Sequence, residues 1–202
     1  MFARDNGYDS QACVEEALRR APDPSLIPAA ATEFELGCKG NDAGACSALG
    51  VLYELGIGRA KSYAGAHKSY ERACKAGNQR GCVNLGRLES ERSQATNLDR
   101  SRARILFATA CEANEASGCA ELGRMLARDK SPNRDLVGAD IMLGRACEKN
   151  LFRACYELAE LYRGQPAEDV ARSTTLYAKA CLSGYQPACM RLDPTGKRIA
   201  AR

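Results

Sequence analysis

Tyr70-Glu71-Arg72-Ala73-Cys74-Lys75-Ala76-Gly77-Asn78-Gln79-Arg80-Gly81-Cys82-Val83-Asn84-Leu85-Gly86-Arg87-Leu88 is the stretch whose reading decides the fold. Its two cysteines enclose seven residues, and the apolar or small positions on either side fall three and four apart, the spacing of one helix face. A helix ending near Cys74 and another opening near Cys82 are joined by too few residues for anything but an antiparallel turn. That turn brings the two cysteines within the roughly 5.5–6 Å Cα separation of a disulfide.

The same unit recurs along the chain. Ten of the eleven cysteines pair at the spacing C-x7-C: Cys38 with Cys46, Cys74 with Cys82, Cys111 with Cys119, Cys147 with Cys155 and Cys181 with Cys189. First members stand 36, 37, 36 and 34 residues apart, a period that marks a repeat architecture. Four residues after the second cysteine comes a small residue (Gly50, Gly86, Gly123, Ala159), preceded by Leu49, Leu85, Leu122 and Leu158. Four before the first cysteine comes a bulky one (Phe34, Tyr70, Phe107, Leu143, Tyr177). Each repeat is therefore a helix A opening at the second cysteine and a helix B closing at the next first cysteine. Ser62, Asp99, Asp135 and Asp169 precede the B helices as expected N-caps. Glycine inside a helix costs about 1 kcal/mol against alanine, so glycines in register imply close approach of a neighbouring helix backbone. One pair cannot bury its own apolar stripe; stacked pairs can.

The expected fold is all-α, an α/α solenoid of antiparallel helix pairs with one disulfide per repeat. Residues 1–12 read as a flexible N-terminus and 13–192 as the solenoid. A leading helix pair spans 13–38, repeats follow over 46–74, 82–111, 119–147 and 155–181, and a capping turn covers 189–192. Residues 193–202 form a C-terminal tail. Cys13 lacks a partner at the repeat spacing and reads as an unpaired thiol.

So many cysteines in 202 residues point to an oxidising compartment, periplasmic or outside the cell, with the export signal absent from this chain. Metal is not expected: His67 is the one histidine and there is no C-x-x-C. A net charge of +4, scattered among acids, argues against nucleic acid as partner. No stretch has the roughly 20 apolar residues of a membrane span. Neither S-x-x-K, S-D-N nor K-T-G occurs, and no P-loop or G-x-G-x-x-G, so no enzyme and no cofactor is expected.

The pattern A-C-x-x-G/N-x-x-x-A/G-C-x-x-L-G/A-x-L/M, as in Ala73 to Leu88, resembles the Sel-1-like repeats, and among them the cysteine-rich bacterial proteins first described in Helicobacter. The similarity covers nearly all of residues 13–192. It implies a right-handed superhelix with the A helices on its concave side, and exported adaptors that bind another protein. One version of that role is an immunity protein neutralising a secreted effector, such as a phospholipase delivered by a type VI system. The alternatives are a hydrolase or binder of β-lactams or peptidoglycan, and a redox or haem-handling factor. The chain is expected to be monomeric.

Positions on the A helices that stacking does not dictate are the candidate binding face: Val51, Glu54, Arg87, Glu91, Arg124, Arg128, Tyr156, Glu160 and Arg163. Arg87, Arg124 and Arg128 read as a basic patch suited to a partner's carboxylates. Tyr53, Tyr156 and Tyr162 read as anchors, tyrosine being enriched at binding hot spots.

Overall fold

The structure, a computed structural model, describes residues 27–92, 95–129, 135–163 and 167–192. Cys13, the leading helix before Ile27 and the tail from 193 lie outside these. Among the described residues ten helices follow one another: α1 (Ile27–Lys39), α2 (Ala43–Leu55), α3 (Tyr63–Lys75), α4 (Gln79–Ser90), α5 (Asn97–Glu112), α6 (Ala116–Arg128), α7 (Leu136–Glu148), α8 (Phe152–Leu161), α9 (Ala167–Leu182) and α10 (Gln186–Cys189). Odd-numbered helices are the B helices and even-numbered ones the A helices. They form two compact units, one over the described residues up to Gly118 and one from Cys119 onward. In the first, each of α1 to α4 packs on its successor and α2 also touches α4; in the second, α7 packs on α8, α8 on α9 and α9 on α10.

Each B helix runs one residue past its cysteine and turns by a fixed device. Three residues after the first cysteine stands Asn or Gly with positive φ: Asn41 (67°), Gly77 (84°), Asn114 (68°), Asn150 (63°) and Gly184 (89°). The following N–H then reaches back to the carbonyl just before the cysteine, as Asn78 N does to Ala73 O at 2.9 Å, and Gly77 N bonds Cys74 O. This is a Schellman ending, which only residues tolerant of the left-handed region can supply. The turn is so short that the helix-ending Asp42 and Asn78 are also N-caps of the next helix, accepting from Ala45 N and Gly81 N.

The A helices therefore begin three residues earlier than the cysteine spacing implied, and the second cysteine lies in the first turn. Disulfides join Cys38–Cys46, Cys74–Cys82, Cys147–Cys155 and Cys181–Cys189 across Cα separations of 4.5–4.7 Å, shorter than expected because the turn is so tight. Cys111 and Cys119 are disulfide-bonded as well.

The N-cap expectations need correction at two places. Ser62 and Asp135 do cap, accepting from Gly65 N and Gly138 N. Asp99 does not. Thr96 caps α5 and Asp99 is the third helical residue, its carboxylate returning to Thr96 N in a capping box. Asp169 lies inside α9 rather than ahead of it.

The in-register glycines meet side chains more than backbone. A Cβ on Gly86 would stand 2.8 Å from the Phe107 ring, and one on Gly50 would collide with the Tyr70 ring. At Gly123 the neighbours are Leu143 Cγ at 2.8 Å and the backbone at Leu143 N and Ala139 O. So the small residue of each A helix receives the bulky residue of the following B helix; in the last repeat Ala159 and Tyr177 share one core cluster. Tyr70, Phe107, Leu143 and Tyr177 are all buried, whereas Phe34 is 38% exposed. Residues 13–26, where the sequence predicts the preceding A helix, lie outside the described residues.

Candidate functional site

Stacking pairs the A helices' polar residues with each other. In the first unit Glu54 of α2 is the hub. Both its oxygens accept from Arg87 Nη2, at 2.8 and 2.9 Å, and its Oε2 accepts from the Tyr70 hydroxyl at 2.6 Å. Arg87 also pairs with Glu91 at 3.5 Å. Burial works against the charge on Arg87, but Glu54 and Glu91 outweigh it and hold its pKa above the ordinary value. Burial of Tyr70, with Glu54 beside it, pushes the phenol far above its usual range.

The second unit repeats this chemistry with other residues. Arg124 of α6 is bound through Nη1 by Glu121 at 2.8 Å and through Nε by Glu157 of α8 at 3.1 Å. Glu157 also takes Arg153 Nε at 3.1 Å. Desolvation opposes the Arg124 charge, and the two carboxylates again more than restore it. One turn further along α8, Glu160 accepts from the Tyr177 hydroxyl (2.7 Å), Arg191 Nε (2.9 Å) and Arg163 Nε (3.4 Å). Tyr156 packs beside Tyr177 and Tyr185, with ring centroids 5.7 and 5.5 Å away.

These contacts revise the expected binding face. Val51 is buried against Ala66, Tyr70 and Leu85, because α2 is covered by both α3 and α4, and offers no surface. Arg87 and Arg124 are neutralised by Glu54 and by Glu121 and Glu157, so no basic patch runs through them. Arg128 and Glu91 are exposed, and Tyr156, Glu160 and Arg163 share one end of the second unit. Tyr53 holds Arg59, whose Nη1 donates to its hydroxyl at 3.1 Å; Tyr162 donates to Asp140 and lies under Arg172. Both are committed to internal contacts.

Reading the sequence missed Arg153, Tyr185 and Arg191. A signal was there for Tyr185: it stands four residues before Cys189, the register at which Asp42 and Asn78 cap their helices. His67 Nε2 lies 2.9 Å from Glu89 Oε1, tying α3 to α4. Among the described residues no three His, Cys, Asp or Glu side chains are grouped to hold a metal ion.

No family model matches the sequence, and no curated protein sequence does. Solved structures do match. One is a protective antigen present in uropathogenic Escherichia coli strains that displays the Sel1-like repeat (SLR) fold. It aligns with a TM-score of 0.67 at 19% identity, over 78% of this chain. This chain has the Sel1-like repeat fold. A Sel1 repeat protein from Oxalobacter formigenes aligns with a TM-score of 0.65 at 21% identity, over 74% of this chain. The match spans 34% and 61% of those two proteins' own lengths. The chain carries one disulfide per repeat. Such cross-linking points to an oxidising, extracytoplasmic location. None of the helices among the described residues is long and apolar enough to cross a membrane.

Proposed function

We propose that the chain is a non-catalytic scaffold that binds another protein in the periplasm or outside the cell. The observation that carries this is the polar ladder of the A helices. Within each unit a glutamate of one A helix is paired with an arginine of another, Glu54 with Arg87 and Glu157 with Arg124, and Tyr70 and Tyr177 donate to Glu54 and Glu160 from the B helices. Such side chains are fixed before a partner arrives, which lowers the ordering cost of association. Tyrosine and arginine are also the residues that dominate binding energy at interfaces. The Sel1-like fold of the neighbours and the protective-antigen role of one of them agree with an exported binding protein. Nothing in the ladder singles out a secreted effector as the partner, so the immunity role is not carried forward.

The test is photo-crosslinking in the exporting cell. A photoreactive residue is placed at Arg163 on the A-helix side or at Arg104 on the outward side of α5. A discrete adduct with one protein from position 163, absent from position 104, is the expected result. Adducts from neither position, or the same adducts from both, would refute the scaffold reading.

A further inference from the structure

The end of the second unit breaks the local rule of the repeat. Where Asp42 and Asn78 place a capping oxygen, α10 has Tyr185, which makes no capping hydrogen bond. Leu151, at the same register before α8, is buried, so packing explains it. Tyr185 is only half-buried, and its ring lies against Tyr156. Both Leu151 and Tyr185 lack a side-chain cap, but only Tyr185 is left without burial to account for it.

Two arginines lie beside the tilted pair of rings. Arg191 Nη2 donates to the Tyr156 hydroxyl at 3.4 Å, and Arg153 is close enough to Tyr185 to act on its ionisation. Each arginine is anchored by its Nε alone to a glutamate, Arg153 to Glu157 and Arg191 to Glu160. Both Nη groups of Arg153 are without a partner among the described residues, as is Nη1 of Arg191. Their side chains remain 37% and 38% exposed. A guanidinium held at Nε with its fork open to solvent is in place for bidentate binding of a carboxylate.

We propose that Tyr156, Tyr185, Arg153 and Arg191 form a docking corner for a carboxylate-bearing segment of the partner protein. The charge balance selects this occupant. Arg124, Arg153, Arg163 and Arg191 face Glu121, Glu157 and Glu160, leaving one positive charge. One carboxylate neutralises it, whereas a polyphosphate backbone would bring several charges to a site already furnished with three glutamates. The chain's own last ten residues carry Lys197, Arg198 and Arg202 against Asp193, the wrong sign for the corner. The tyrosine rings supply apolar area beside the arginines.

This assignment rests on the scaffold reading but is tested separately. Arginine Nε–Hε NMR signals are followed while the intact chain is titrated with an acetylated octapeptide of alternating glycine and glutamate. The controls are the glycine–glutamine octapeptide and octauridylate. Saturable shifts at Arg153 and Arg191, given only by the glutamate peptide, are expected. Arg153→Gln weakens that binding by about tenfold or more, the scale of one charge-assisted hydrogen bond, while Arg104→Gln leaves it unchanged. Shifts spread evenly over all arginines, stronger shifts with octauridylate, or shifts on raising the protein concentration alone overturn the corner. If position 163 crosslinks to a partner and Arg153→Gln does not weaken that adduct, the scaffold stands and this corner falls.

Discussion

Arg72 Nη2 donates to Cys38 O at 2.6 Å, binding the end of α1 across one full repeat. The same guanidinium group reaches Asn41 Oδ1 at 3.2 Å, so it holds both the last carbonyls of α1 and its left-handed turn. Lys179 repeats the contact in the second unit, its Nζ 3.0 Å from Cys147 O. Both cations stand two residues before a first cysteine, and each reaches the first cysteine of the preceding repeat. That carbonyl already accepts from the turn's own N–H, Asn41 N to Cys38 O and Asn150 N to Cys147 O; the cation adds a charge-assisted bond to it and complements the negative end of the helix dipole. Arg72→Ala should lower stability by about 1.5 kcal/mol, the range of a charge-assisted hydrogen bond. Arg72→Lys should retain most of it, as Lys179 already does. Urea unfolding monitored by circular dichroism measures both; equal losses in the two variants would remove the cation from the explanation.

Alkaline pH should loosen the fold through two tyrosines. Burial, followed by the Glu54 carboxylate, raises the Tyr70 pKa; burial and the Glu160 hydrogen bond do the same for Tyr177. In the unfolded chain both phenols ionise near the ordinary value of about 10. Above that pH the unfolded state binds fewer protons than the folded one, so stability falls as pH rises. It is fully present below about pH 10 and declines by about 1.4 kcal/mol per pH unit for each tyrosine. Tyr70→Phe should cost about 1 kcal/mol at neutral pH by losing its bond to Glu54. It should also remove one tyrosine's share of the alkaline slope. Urea midpoints between pH 9 and 11 check it; an unchanged slope in the variant would be the contrary result.

The disulfides admit a direct count. Alkylation of the denatured, unreduced chain should modify one cysteine, Cys13, and reduction should expose the other ten. Each bridge closes a ring of about nine residues, for which loop-closure entropy gives roughly 2.5 kcal/mol. Replacing both Cys74 and Cys82 by serine should therefore lower stability by about that amount while the remaining bridges persist. Peptide mapping and urea unfolding together provide the measurement. Ten or eleven alkylated cysteines in protein matured in its own compartment would remove both the framework and the inferred location.

The repeat register was legible because its causes are local. A cysteine, an Asn or Gly three residues on, and a small residue facing a bulky one are each dictated within a few positions of sequence. The charge ladder was not legible, because Glu54 meets Arg87 and Arg124 meets Glu157 across 33 residues. Nothing near Arg87 reveals that its charge is already taken, so three arginines read as a patch when two of them are pairs. Val51 misled for a related reason. Its offset from Cys46 matches that of Arg87 from Cys82, but α2 is covered on that face by α4. Asp99 misled because an acid in the first turn of a capping box occupies almost the same place in sequence as a true cap.

Two glycines in similar helices should respond oppositely to the same substitution. Gly86 lies under the Phe107 ring, where an added Cβ would sit 2.8 Å from Cε1 and 3.2 Å from Cζ. The ring is buried and cannot swing aside, so Gly86→Ala incurs an overpacking cost of about 1–3 kcal/mol. The gain in helix propensity is about 1 kcal/mol and does not cover the upper part of that range. Gly144 in α7 has nothing within 4 Å of the position a Cβ would take. There the propensity gain is unopposed, and Gly144→Ala should stabilise by about 0.5–1 kcal/mol. The double variant Gly86→Ala with Phe107→Leu, which shortens the facing side chain, should recover part of the loss at Gly86. Thermal and urea unfolding of the four proteins forms the test. If Gly86→Ala and Gly144→Ala shift stability in the same direction, the ring-over-glycine contact does not determine how these helices stack.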